Sequence, residues 1–363
     1  MTYSMPTSCA NCGETGVFRC SRCTMVAYCH PNCEKAYLSV HENDCKALLE
    51  KAITRIAGTW KAAFLIFREN VYTVKTKSVS QHQNKIIVQE ADNDVSKSGE
   101  VLFRFPRSFY DRTKDQHAVL SAYAGEDPVG YLHDFLVHMI KGAFAYSISR
   151  TLSRLTQTLG IYMTARIREQ KVSLHDPACA TLLGPDKQSK VSLQHVLFIQ
   201  ARAFPNSWIL DPAGAAYGID RASMSTTAYA NFVEQRVEIN EFGTQRQLLK
   251  GYANIPGLCG LPFRLSWLAM DRFQAGVAQW KGNANLDLVD LIWLPDEQFV
   301  IQQRHLLANI STALADFRLG AEYREEISKT LLWEERNSGK SSTMAVITAR
   351  RCPKTWFCAL IKI

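Results

Sequence analysis

The sequence predicts an α+β protein in which a small metal-folded module precedes a mixed body. Three observations carry that expectation. Seven of the 11 cysteines fall within the first 45 residues beside His41, apolar residues recur at helical spacing over 46–70, and alternating β-branched stretches interchange with helical ones thereafter. At 363 residues the chain exceeds the usual single domain of ~100–150 residues. Its 47% hydrophobic and 21% charged residues exclude collagen-like, coiled-coil and wholly disordered classes.

The cysteine string reads Cys9-x2-Cys12-x7-Cys20-x2-Cys23-x5-Cys29-x3-Cys33-x7-His41-x3-Cys45. These are four close pairs, enough for two tetrahedral zinc sites. A two-residue gap on a turn lets both sulfurs reach one ion at ~2.3 Å, and a three-residue gap places both ligands on one helical face. Spacing alone allows the pairs to combine sequentially or in interleaved order. Val17, Phe18, Met25, Val26 and Tyr28 are too small an apolar inventory to fold this segment, so metal binding must provide most of its folding free energy.

At these residues the chain resembles the MYND zinc finger, matching it at all eight ligand positions and at the Tyr28-Cys29 step. The resemblance implies interleaved sites, Cys9, Cys12, Cys29 and Cys33 on one zinc ion and Cys20, Cys23, His41 and Cys45 on the other. It also implies an adaptor role in which the finger binds short proline-containing peptides of partner proteins. After Cys33 the family usually has Gln, two variable residues and Asp-Trp, where this chain has Glu34, Lys35, Ala36, Tyr37 and Leu38. The Gln and Trp line the peptide groove in relatives, so Glu34 and Leu38 alter that groove.

The finger is assigned to residues 7–46 and the body to 47–363. Leu49, Ile53, Ile56, Trp60, Phe64 and Phe67 give the helix expected over 46–70 its apolar face. Residues 71–78, 85–90 and 101–105 read as a small antiparallel sheet within 71–105, with a loop over 92–99. Helices are expected over 131–142 and 145–159, each ended by glycine, then strands over 193–204 and 208–210 around Pro205. These elements make up a 130–215 region, and a mixed 216–363 region follows. Its clearest helix spans 297–327, and an apolar strand candidate spans 356–363.

His195 begins one of these strands and Asp211 ends the next. A hairpin joining them would let Asp211 accept the imidazole N–H and orient His195 as a base. This part weakly resembles cysteine transferases of the transglutaminase and arylamine N-acetyltransferase type, at Gly142-Ala143-Phe144, Leu159-Gly160-Ile161, Arg166, His195, Trp208 and Asp211. Ala143, Phe144 and Ala145 stand where that family needs a thiolate. The resemblance therefore implies a degenerate transferase, and an active one only through a displaced thiol such as Cys179. No catalytic residue is assigned.

Cys179, Cys259, Cys352 and Cys358 read as small buried hydrophobes. His133 and His138 lie five apart, off the spacing that two metal ligands share on a helix, and Gly339-Lys340-Ser341 lacks the upstream glycine of a phosphate loop.

The formal charge is +8, but seven zinc-bound thiolates and two dications together subtract three, leaving roughly +5. Lys and Arg are dispersed, which argues against nucleic-acid binding. No stretch is apolar enough to span a membrane, and residues 1–8 carry no secretory signal. The expected setting is intracellular, cytoplasmic or nuclear, with reduced cysteines.

Overall fold

The organising element of the computed structural model is helix α1, Pro31–Asn70. The structure describes residues 8–20, 26–82, 85–93, 95–122, 124–145, 165–175, 179–182, 193–201 and 206–337. Extended His30 is the N-cap of α1, Pro31 occupies its first turn, and Glu34 and Arg68 complement its dipole at the two ends. The helix expected over 46–70 thus begins fifteen residues earlier. Its apolar stripe stops reading as apolar before Leu49 because the same inward positions are then Cys45, His41, Tyr37 and Cys33, four residues apart. At 1.5 Å per residue, α1 is about 60 Å long. It crosses residue 46 without a break.

Ahead of α1 stand two short antiparallel strands, β1 (Phe18–Arg19) and β2 (Ala27–Tyr28). After it, β3 (Thr76–His82) and β4 (Lys85–Glu90) pair antiparallel; the strand expected over 71–78 starts five residues later and runs on to His82. Their third partner is not residues 101–105 but β6 (Cys179–Leu182), parallel to β4. The 101–105 segment reads as a strand because it is apolar except at Arg104, and Val101, Leu102 and Phe105 are buried. Its N–H groups go elsewhere: those of Val101 and Leu102 to the Tyr323 hydroxyl, at 3.3 and 3.2 Å, and that of Phe103 to the Tyr72 carbonyl. Apolar composition reported burial here without a ladder. The loop expected over 92–99 includes a single turn, α2 (Val95–Ser98).

Helices α3 (Thr113–Ser121), α4 (Asp127–Gly130) and α5 (His133–Ala145) follow. Of the two helices expected over 131–159, the first corresponds to α5, and residues 146–159 lie outside the described residues. A second, five-stranded antiparallel sheet comprises β5 (Ala165–Leu174), β7 (Leu193–Ala201), β8 (Ser207–Leu210), β9 (Ser223–Ser225) and β10 (Val233–Glu241), ordered β10-β5-β7-β8-β9. The strand pair expected around residue 205 is β7 and β8, with Leu197 opposite Leu210. Residues 202–205, between them, lie outside the described residues, as does the strand candidate at 356–363.

After α6 (Thr226–Ala230) and β10 the C-terminal half is helical: α7 (Thr244–Ala253), α8 (Gly257–Ala284), α9 (Leu288–Trp293), α10 (Asp296–Ala315) and α11 (Ala321–Arg336). The single helix expected over 297–327 is two, α10 and α11. A turn at Phe317–Leu319 buries Phe317 against Tyr323, and Gly320 starts the second helix, so both pack on α8. Among the described residues no helix is long and apolar enough to cross a membrane.

Two packing details hold this half together, the first of them to α1. Buried Arg55 donates from Nη1 to the Ile292 and Leu294 carbonyls at 2.7 and 2.6 Å, meets Asp296 through Nη2, and lies 4.3 Å from the centre of the Phe299 ring. Where α8 meets α10, a side chain at Gly276 would come within 2.8 Å of the Asn309 oxygen and Ile310 Cα, both backbone atoms. Replacing Arg55 with Met leaves the Ile292 and Leu294 carbonyls without these donors and should cost about 2–4 kcal/mol. Gly276→Ala should cost about 1–3 kcal/mol by forcing α8 and α10 apart. Urea unfolding monitored by circular dichroism checks both, the midpoint falling while the slope holds.

Candidate metal centre

The ligands of the first group come from a tight turn and a helix start. Between Cys9 and Cys12 the chain turns back on itself: the Gly13 N–H donates to the Cys9 carbonyl at 2.8 Å, with Gly13 at φ +83°, where a side chain would be strained. Cys29 lies just before the α1 cap and Cys33 in its first turn. Their sulfurs are 3.4 Å apart, as are those of Cys12 and Cys29, while Cys12 and Cys33 are separated by 3.8 Å. Metal–sulfur bonds of ~2.3 Å in a tetrahedron place sulfurs about 3.8 Å apart, so four thiolates at these separations fit zinc.

The second group is Cys20, His41 and Cys45, all buried, with the Cys20 and Cys45 sulfurs 3.9 Å apart. The Cys20 N–H donates to the Val26 carbonyl at 2.8 Å, extending the β1–β2 pairing by one bond. Within each group the ligand atoms lie within 4.8 Å of one another. Cys23, the fourth ligand expected here, lies outside the described residues.

The grouping follows from α1. Cys33 and His41 are eight residues apart on one helix, about 12 Å along its axis, so no ion can take both. Sequential pairing, which spacing left open, would require that. Tyr37 fills the interval, its ring 6.3 Å from that of Tyr28 and 6.5 Å from His41. Glu34 and Leu38 are half-buried on the same helix.

Two contributors went unread in the sequence. The Asn11 side-chain amide donates to the Cys33 sulfur at 3.5 Å. His30 caps α1 by accepting the Cys33 N–H on Nδ1 at 3.3 Å, and its Nε2 lies 3.6 Å from the same sulfur. The His30-Pro31 step was the available signal, since a polar residue before proline marks a helix start.

Residues 9–45 match the MYND finger family. The N-terminal segment is therefore a MYND zinc finger. No curated protein and no solved structure matches the chain, and the resemblance of the body to cysteine transferases finds no support there.

In the body the structure separates the two residues that the hairpin was expected to join. Asp211 accepts from Gln194 Nε2 at 2.6 Å and from the Tyr229 hydroxyl at 2.7 Å, while His195 Nε2 lies 3.7 Å from Glu126. Strand alternation is the cause: Leu197 opposite Leu210 puts Gln194 on the Asp211 side of β7 and His195 on the other. Glu126, just before α4, is the neighbour that sequence reading missed, although Asp127-Pro128 marks a helix start. Cys179 lies on β6 in the three-stranded sheet, His195 in the other. Gly142, Ala143 and Phe144 lie within α5, and residues 159–161, 352 and 358 lie outside the described residues. Cys259 is buried as expected.

Burial pushes the Asp211 carboxyl above the ordinary carboxylate range, opposed by Tyr229, Gln194 and the Lys61 charge. Its folded value exceeds the unfolded ~3.9, so its contribution to stability is complete below that pH and is lost as pH rises through the folded value. Asp211→Asn abolishes this dependence. Wild type should therefore lose stability relative to the variant from about pH 4 upward, until Asp211 is ionised in both states, as followed by urea unfolding across pH.

Proposed function

We propose that this protein is a zinc-dependent adaptor whose MYND finger holds two zinc ions and binds short peptide motifs of partner proteins. The observation that carries this reading is the family match over 9–45, the segment that supplies both ligand groups. The chemistry suits structural zinc: the four thiolates of the first group form a closed set with no open position for a substrate, and Cys23 would close the second group of two thiolates and one imidazole in the same way. Proline-containing peptides are the expected ligands. The finger shares α1 with the body, which presents it to partners.

The body serves as a scaffold in this reading. A degenerate cysteine transferase remains the second reading, favoured over an active one because a carboxylate, that of Glu126, faces His195 where a thiolate would be required. Arylamine acetyl donors and glutamine-containing peptides should accordingly give no covalent adduct detectable by intact-mass spectrometry.

Metal analysis of protein purified without added zinc should return two zincs per chain, falling to about one in Cys20→Ala. No bound zinc in the wild type would end the adaptor reading. On an array of proline-containing peptides, binding by the full chain should vanish on chelation. Restoring the residues that line the groove in relatives, Glu34→Gln with Leu38→Trp, should strengthen binding several-fold; weaker binding would mean that this finger reads a different motif.

A further inference from the structure

The four thiolates of the first group differ in what surrounds them. Cys9 and Cys33 are buried, Cys29 is half-buried and Cys12 is exposed. Cys9, the more buried of the two, accepts backbone N–H groups of Cys12, Cys29 and Asn11, and Cys33 is sheltered by side chains. It receives the Asn11 amide, and because His30 Nδ1 accepts the Cys33 N–H, a neutral imidazole carries its proton on Nε2, which faces the same sulfur. Such N–H···S contacts draw charge from a metal-bound thiolate and occupy its free face. Cys12 accepts the backbone N–H of Glu14, and its other sulfur contacts are fellow ligands. Its open side faces solvent, with the Cys29 sulfur 3.4 Å away.

We propose that Cys12 is an oxidation site for small peroxides, with Cys29 as its resolving partner, so that oxidation releases zinc from this group. This rests on the reading that the group holds zinc. The Cys12 thiolate attacks one peroxide oxygen, the O–O bond breaks, and hydroxide leaves, taking up a proton to give water and a sulfenic acid. The Cys29 thiolate then attacks the Cys12 sulfur, the S–S bond forms, and the sulfenic oxygen departs as hydroxide, protonated to a second water. Two thiolates lose two electrons, one peroxide gains them, and Zn²⁺ is left with Cys9 and Cys33. A cellular thiol reductant together with zinc reverses the change.

The test uses the full-length zinc-loaded chain. Zinc content is measured first, because protein without zinc would refute the zinc reading and not the oxidation chemistry. Hydrogen peroxide is then added while a chromogenic chelator reports released zinc and alkylation with mass spectrometry maps the disulfide. Release of one zinc per chain with a Cys12–Cys29 disulfide, restored by dithiothreitol and zinc, is the expected result. Asn11→Ala with His30→Ala keeps every ligand but uncovers Cys33, and should speed release a few-fold. Loss of both ions at one rate, or a first disulfide that excludes Cys12, would overturn the proposal.

Discussion

No ion can bridge Cys33 and His41, because α1 holds them about 12 Å apart. From that constraint the rest of the finger follows. Each helical ligand must recruit partners from outside the helix near its own level, so Cys33 takes the Cys9 turn and Cys29, while His41 and Cys45 take the strand end at Cys20. The interleaving is a consequence of helix rigidity and would fail if α1 began after Cys45. The two ligand groups thus stand at two heights on one rod, with Tyr37 and Tyr28 packed between.

The same rod ties metal binding to the body by a graded coupling. Below Leu49 the inward positions of α1 are ligands or Tyr37; above it they are core residues such as Trp60, Phe64 and Phe67, all fully buried. The upper part is held by hydrophobic packing and by Arg55, neither of which needs a metal. Without zinc, the first four turns of α1 lose their only packed face among the described residues, and a helix segment of that length is marginal in water. Metal loss should therefore fray the finger and the start of α1 and leave the helix intact from Leu49 onward. The Cys33 group lies at the far end, where its release disturbs least.

The finger was legible because metal ligation demands particular residue types at particular spacings, and eight such residues in 37 positions leave few alternatives. Helix α1 was half legible. Its apolar period could be read from Leu49 on, but a stripe of ligands carries no hydropathy signal, and the cap at His30-Pro31 was the only mark of its start. The hairpin β3–β4 and the pair β7–β8 were visible as alternation. Residues 101–105 are as apolar as a strand yet form none, because hydropathy encodes which side chains are buried and not where the N–H groups go. The break of α10 from α11 was hidden for a related reason: helical periodicity runs on through Phe317, which is buried by turning the chain rather than by extending it.

His195 and Asp211 show what sequence distance cannot decide. Residues at the ends of adjacent strands are near one another by topology, but a side chain reaches its neighbour only when both lie on the same face, and here Gln194 has the face that His195 would need. Glu126 faces the imidazole from the helical side and accepts from Gln245 on α7, while Asp211 accepts from Gln194 and Tyr229, so this polar cluster ties helices α6 and α7 to β7. The sheet edges are equally committed. β9 is three residues long, and β10 carries two register shifts with Glu234, Arg236, Glu238 and Glu241 along it, features that discourage an added strand. A partner peptide joining β10 would have to straighten both irregularities and match that charge sequence.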